Sequence, residues 1–148
     1  MPVWFRTRLR HPVVHLPAIQ TVSQRVLAVA GYPRAEVSLN FVSDRRMRHL
    51  NRQYRGHDCS TDVLAFAMRD AAGPPTILLG DVVISLPTAA RQAVECGTSL
   101  DEEVVRLIIH GVLHLIGYDH ERSEEEAERM RRKEKEIIRL LLPLPNLF

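Results

Sequence analysis

Cysteine is nearly absent from this chain: Cys59 and Cys96 are the only two in 148 residues. Two cysteines cannot build a disulfide framework, so the fold must stand on its own core, and a reducing cytoplasmic compartment is expected. Long apolar runs are missing as well. Nothing approaches the roughly 18 residues of a membrane span, and Met1 to Arg6 lacks the apolar stretch and cleavage site of an export signal, so neither secretion nor membrane insertion is expected. There are no internal repeats or low-complexity tracts. Nothing marks a second domain, and one domain over residues 1–148 is expected. A large net charge is lacking too: at +2 it is too small to announce a nucleic-acid partner by itself.

What the chain does have is a run of histidines. Residues 110 to 120 read His-Gly-Val-Leu-His-Leu-Ile-Gly-Tyr-Asp-His. His110 and His114 are four apart in an apolar, helical pattern, which leaves them about 40° apart in azimuth and about 6 Å apart along the axis, on one face. Gly117 is suited to the left-handed conformation that ends a helix and turns the chain back, so that His120 faces the first two. Three imidazoles without a local fourth ligand describe a catalytic zinc site with an open position. Scattered core histidines are the bland alternative, but burying three unpartnered imidazoles among Val, Leu and Ile is costly.

Gly111 narrows the chemistry. Zinc peptidases of the H-E-x-x-H type carry a glutamate base next to the first histidine, and Gly111 has no side chain. A zinc ion that lowers the pKa of its water to about 7 does not need that base. Hydrolysis is expected, and peptide cleavage is disfavoured.

Charge is uneven despite the small total. Arg45, Arg46, Arg48, His49, Arg52, Arg55 and His57 fall within thirteen residues, an electrostatic footprint for phosphates or else a solvated helix face. Arg55 precedes a glycine and is either one more surface arginine or a fork for phosphate oxygens. Asp81 has three open roles, in order of preference: partner to a ligand histidine, loop cap, or water positioner. Asp119 is a histidine partner or a turn residue. Turn chemistry accounts for Thr61 and Asp62; Cys59 is expected to be idle, and His57 is a possible phosphate contact.

Strands are expected over Val3–Leu9, Glu36–Val42, Val63–Met68 and Ile77–Ser85. Helices are expected from Pro17 to Gly31, from Ser43 or Asp44 to about Tyr54, over Leu86–Glu95, from a Ser99/Glu102 capping box through the histidines, and over Ser123–Leu142 from a Ser123/Glu126 box. Arg69–Thr76, with Gly73-Pro74-Pro75, reads as a loop, and Pro143 to Phe148 as a tail. This order predicts an α+β (mixed α/β) fold, one four-stranded sheet covered by about five helices, with the zinc site at the end of a central helix.

The eleven-residue string resembles the H-G-x-L-H-L-x-G-Y-D-H signature of the YbeY family, bacterial endoribonucleases of ribosomal RNA maturation, and fills each fixed position. The resemblance extends to Asn51–Phe66, which contains Arg55, Asp58, Thr61 and Asp62, and to Gly80–Ser85; family members usually carry Ser where Ala65 stands. It implies the same architecture, with zinc on His110, His114 and His120 and with Arg55 and His114 as catalytic residues. It also implies single-stranded regions of ribosomal RNA as substrate and the small ribosomal subunit or its assembly factors as partners. Asp81 and Asp119 are the candidates for supporting the ligands. Two other readings compete: a zinc amidase or peptidase, and a ribosome-assembly factor that binds RNA or protein around a structural zinc.

Overall fold

The computed structural model describes residues 3–68 and 78–148. The chain runs β1 (Val3–Thr7), α1 (Leu16–Val29), β2 (Glu36–Val42), α2 (Asp44–Arg55), β3 (Val63–Ala67), β4 (Leu78–Ser85), α3 (Leu86–Cys96), α4 (Leu100–Leu115) and α5 (Glu124–Leu141). The four strands form one sheet in the order β1-β2-β4-β3, with β1, β2 and β4 parallel and β3 antiparallel on the β4 edge. Among the described residues no helix is long and apolar enough to cross a membrane. The expected Arg69–Thr76 loop and Ile77, the expected start of the fourth strand, lie outside the described residues.

Alternation along the strands divides the molecule into two cores. Val37, Leu39 and Phe41 of β2 join Val82 and Ile84 of β4 on one sheet face, under α1, α4 and α5. The residues between them point the other way. There Val83 meets Met47 and Leu50 of α2, with Val42 and Leu64. Helix α4 is apolar on more than one side, and Val104, Val105, Leu107, Ile108, Ile109, Val112 and Leu113 are all buried. A helix hydrophobic all round belongs inside, and this one carries the first two histidines.

Serine caps begin four helices: Ser99 and Ser123, as their capping boxes predict, accept from the backbone N–H of Glu102 and Glu126, and Ser43 and Ser85 accept from those of Arg46 and Thr88. With Ser43 as the cap of α2, Asp44 is free for another task. Its Oδ1 accepts from the hydroxyls of Ser60, Ser85 and Thr88 at 3.2, 2.7 and 2.6 Å, and its Oδ2 lies 2.9 Å from the Arg91 guanidinium. One carboxylate thus ties the starts of α2 and α3 to the loop before β3. Burial pushes its pKa up, but the hydrogen bonds from Thr88 and Ser85 and the contact with Arg91 outweigh this and lower it from 3.8 to about 2. A depressed carboxyl pKa stabilises the fold above its unfolded value and loses that contribution as pH falls through the folded value. Asp44→Ala is therefore expected to cost about 1–2 kcal/mol near neutral pH, because buried Ser85 loses its acceptor. Urea denaturation at about pH 7 and about pH 2.5 checks this: the gap from wild type should narrow at the lower pH, and an undiminished gap would remove the carboxylate's charge from the explanation.

The expected tail is not one. Leu147 is fully buried; its N–H donates to Asp101 Oδ1 at 2.6 Å, its carbonyl accepts from His15 N–H at 2.7 Å, and the Phe148 ring lies 6.2 Å from that of Phe41. Apolar Leu144, Leu147 and Phe148 outweigh the prolines that suggested a loose end. His15, unassigned by the sequence, caps α1 by accepting from Ala18 N–H through Nδ1.

Candidate active site

The histidine run folds much as its spacing predicts. Helix α4 ends at Leu115, and Gly117 takes a positive φ of 113°. Gly117 and Tyr118 donate back to the carbonyls of His114 and Leu113, closing the helix end. Tyr118 is held under Arg129 of α5, whose guanidinium carbon sits 5.0 Å from the ring centre. The turn then brings His120 back, and the His110 and His120 ring centres are 5.1 Å apart.

All three histidines line one cleft of about 340 Å³ with Asn51, Arg55, His57, Cys59, Thr61 and Asp62. It opens at the free edge of the sheet, where β3 lets the end of α2 approach the end of α4. As placed, no three His, Cys, Asp or Glu side chains among the described residues converge tightly enough to hold a metal ion. The rings surround the cleft rather than meet at a point.

Two details prepare these rings to donate lone pairs. His110 Nδ1 is 2.6 Å from Glu134 Oε1. A carboxylate there accepts the Nδ1 hydrogen, which leaves Nε2 as the bare nitrogen. His114 is pushed below the ordinary histidine pKa by burial first and by the Arg55 guanidinium second, so it is neutral near pH 7. Its Nδ1 atom is buried and has no hydrogen-bond partner among the described residues.

Glu134 was not singled out from sequence. It stands 24 residues from His110 in a helix crowded with Glu, Arg and Lys, and no local spacing distinguishes it. Asp81, the favoured partner, does not line the cleft. It lies between Gly80 and Val82, opposite Phe66 and Ser38, and strand alternation turns it away from the face that Val82 shares with α4. Asp119 is primarily a turn residue: its Oδ1 accepts from Glu121 N–H at 2.9 Å, and its charge raises the His114 pKa against the larger lowering effects.

Arg55 is the last residue of α2, and Gly56 follows with φ 72°. Its side chain lines the cleft and has no hydrogen bond or ion pair among the described residues. Arg48, by contrast, is bound through two nitrogens to Asp58 at 2.8 and 3.1 Å and is spent on the loop. Asn51 Nδ2 donates to the Cys59 carbonyl at 2.9 Å and fixes the same loop. Asp62 accepts from Val63 N–H at 2.7 Å, as turn chemistry predicts. The Tyr54 ring packs 5.2 Å from Phe66, holding the end of α2 against β3.

Gly111 is more than a missing base. A Cβ there would lie 2.6 Å from Val82 Cγ1, where α4 rests directly on β4. Val82 is fully buried and stiff at χ1, so position 111 has no room for a glutamate. Gly80 makes a second close approach: its Cβ would lie 2.1 Å from the Phe66 carbonyl oxygen and 2.9 Å from Leu115.

Comparison with known proteins follows the same lines. A model of the family described as endoribonuclease YbeY matches residues 10–141. Over 121 residues the chain is 55% identical to the Pelotomaculum thermopropionicum protein named endoribonuclease YbeY, covering 78% of this chain and 79% of that one. Over 137 residues it is 44% identical to the Geobacter metallireducens protein of the same name, covering 89% of each. A solution structure of a Thermotoga maritima protein superposes with a TM-score of 0.64 at 24% identity, covering 92% of this chain and 86% of that one, and shares the fold.

Proposed function

The chain belongs to the endoribonuclease YbeY family, and from that we propose that it is a zinc-dependent endoribonuclease cutting single-stranded ribosomal RNA during maturation of the small ribosomal subunit in the cytoplasm. The observation that carries the reading is that Arg55, unpaired among the described residues, lines one cleft with three histidines.

The donor set suits zinc. The His110 and His120 ring centres stand 5.1 Å apart, close enough for both imidazoles to share one ion. His114 is half-buried, and its Nδ1 has no hydrogen-bond partner among the described residues. His110, His114 and His120 would hold the ion, and Glu134 would fix the His110 ring through Nδ1. When bound, the ion supplies Lewis acidity to a phosphate oxygen and lowers the pKa of water.

The chain's own residues supply the rest. Arg55 presents parallel N–H groups to the non-bridging oxygens of the scissile phosphate, where negative charge grows during the reaction. Because no carboxylate among the described residues occupies it, the guanidinium is available to the phosphate. Burial chiefly lowers the His114 pKa, and the Arg55 charge adds to that lowering. The blocked space at Gly111 speaks against the peptidase reading, since that base cannot be installed.

Cleavage of unstructured and duplex RNA by metal-free and zinc-reloaded protein tests this. Zinc-reloaded protein should cut the unstructured RNA, metal-free protein should cut neither, and neither form should digest an unfolded peptide. Chelator-sensitive proteolysis, or RNA cleavage indifferent to metal, would overturn the assignment.

A further inference from the structure

Helix α2 borders two cavities. On the flank away from the histidines lies one of about 650 Å³, lined by Arg6, Arg8, Leu9, Asn40, Ser43 and Arg46 among others. It opens where β1 and β2 end and α2 begins. Arg6 lies in β1, Arg8 follows directly after its last residue, and both line this cavity; Arg6 is in register with Asn40 of β2. Because α2 packs on the β4 and β3 side of the sheet, the β1 and β2 side is left open beside it.

Two features mark the cavity as an anion site. Among the described residues no carboxylate lines it. The side chains of Arg6, Arg8 and Arg46 have no hydrogen bond or ion pair among the described residues, and all three are exposed.

Helix geometry joins the cavity to the histidine cleft. Arg46 and Arg55 are nine residues apart, half a turn round α2 and about 14 Å along its axis. Each therefore leans over a different flank. Arg45, His49 and Arg52 lie on the crown between them, and all are exposed.

We propose that Arg6, Arg8 and Arg46 form a second phosphodiester subsite, which holds the backbone of the RNA strand several nucleotides from the bond cut in the histidine cleft. The substrate class rests on the ribonuclease reading above. Guanidinium forks match phosphate oxygens bidentately, and the exposed cations over α2 favour a polyanion long enough to touch both cavities. The subsite selects for length and position on the strand rather than for base identity, since backbone contacts fix register without reading sequence.

The test measures binding of zinc-loaded protein to uncleavable 2′-O-methyl oligonucleotides of about 4 and about 12 nucleotides, lengths that bracket common single-strand sites. Wild type should bind the longer one at least about tenfold tighter at low salt. The double variant Arg6→Ala, Arg8→Ala should shrink that advantage about fivefold or more and flatten the salt dependence by about one unit of slope. Arg34→Ala, an exposed arginine just before β2 at the other end of the sheet, should keep the length advantage within about twofold, which excludes bulk charge. An unchanged advantage in the double variant, with wild-type cleavage intact, overturns the subsite and spares the ribonuclease reading. An arginine-dependent advantage in a protein that cuts no RNA supports the subsite and sinks that reading instead. If the double variant loses only affinity for a glutamate-rich peptide, the cavity receives an acidic protein segment and the proposal falls.

Discussion

Arg55→Ala should reduce RNA cleavage by about 100-fold or more, on the order of 3 kcal/mol, as expected when one preorganised donor to a developing oxyanion is removed. Zinc occupancy and thermal midpoint should stay close to wild type. The side chain is exposed and makes no hydrogen bond or ion pair among the described residues, so its loss leaves no orphaned partner. Arg55→Lys should restore only part of the rate, because an ammonium keeps the charge and loses the fork. Single-turnover cleavage with elemental analysis on the same samples checks both halves. If Arg55→Ala merely weakens binding at unchanged chemical rate, Arg55 belongs to the basic surface of α2, and an assembly factor describes the protein better than an enzyme.

His114→Ala should abolish most zinc binding and with it RNA cleavage, while leaving a soluble, folded protein. Helix α4 does not depend on this imidazole for its place, since Ile108, Ile109, Val112 and Leu113 are buried around it. Removing a half-buried ring whose Nδ1 has no partner among the described residues also strands no hydrogen bond. Metal content by elemental analysis and far-UV circular dichroism settle the point together. Undiminished zinc in a folded variant would remove His114 from the ligand set, and loss of the helical spectrum would give it a structural role. Acid should release the metal from wild type as well, because a protonated imidazole has no lone pair to donate.

Much of this site was legible in the linear chain because its information is local. An i,i+4 histidine pair, a glycine that ends a helix, and serine caps three residues before the N–H groups they satisfy depend only on helix geometry. The same holds for β2, whose alternation places Val37, Leu39 and Phe41 on one face. Local pattern put Arg55 just after the basic helix and before a glycine, and it proves to be the last helical residue beside the glycine that stops α2.

Other features depend on which elements meet. Glu134 reaches His110 because α5 crosses α4 at that level, and one glutamate among many has no local mark to reveal this. Asp81 was a reasonable partner by composition, but the pleat and the choice of face for α4 turn it away from the histidines. Position 111 read as a vacancy until the distance to Val82 showed a contact of helix on sheet. Asp44 gathers three hydroxyls and a guanidinium from segments up to 47 residues later in the chain, and Leu147 finds its place against Asp101 and His15. Element types, donor chemistry and the basic helix follow from short-range backbone geometry and side-chain identity, so they can be read along the chain. Which carboxylate reaches a histidine, where no side chain fits, and how the two flanks of α2 come to face separate cavities depend on packing, which joins groups that the chain keeps far apart.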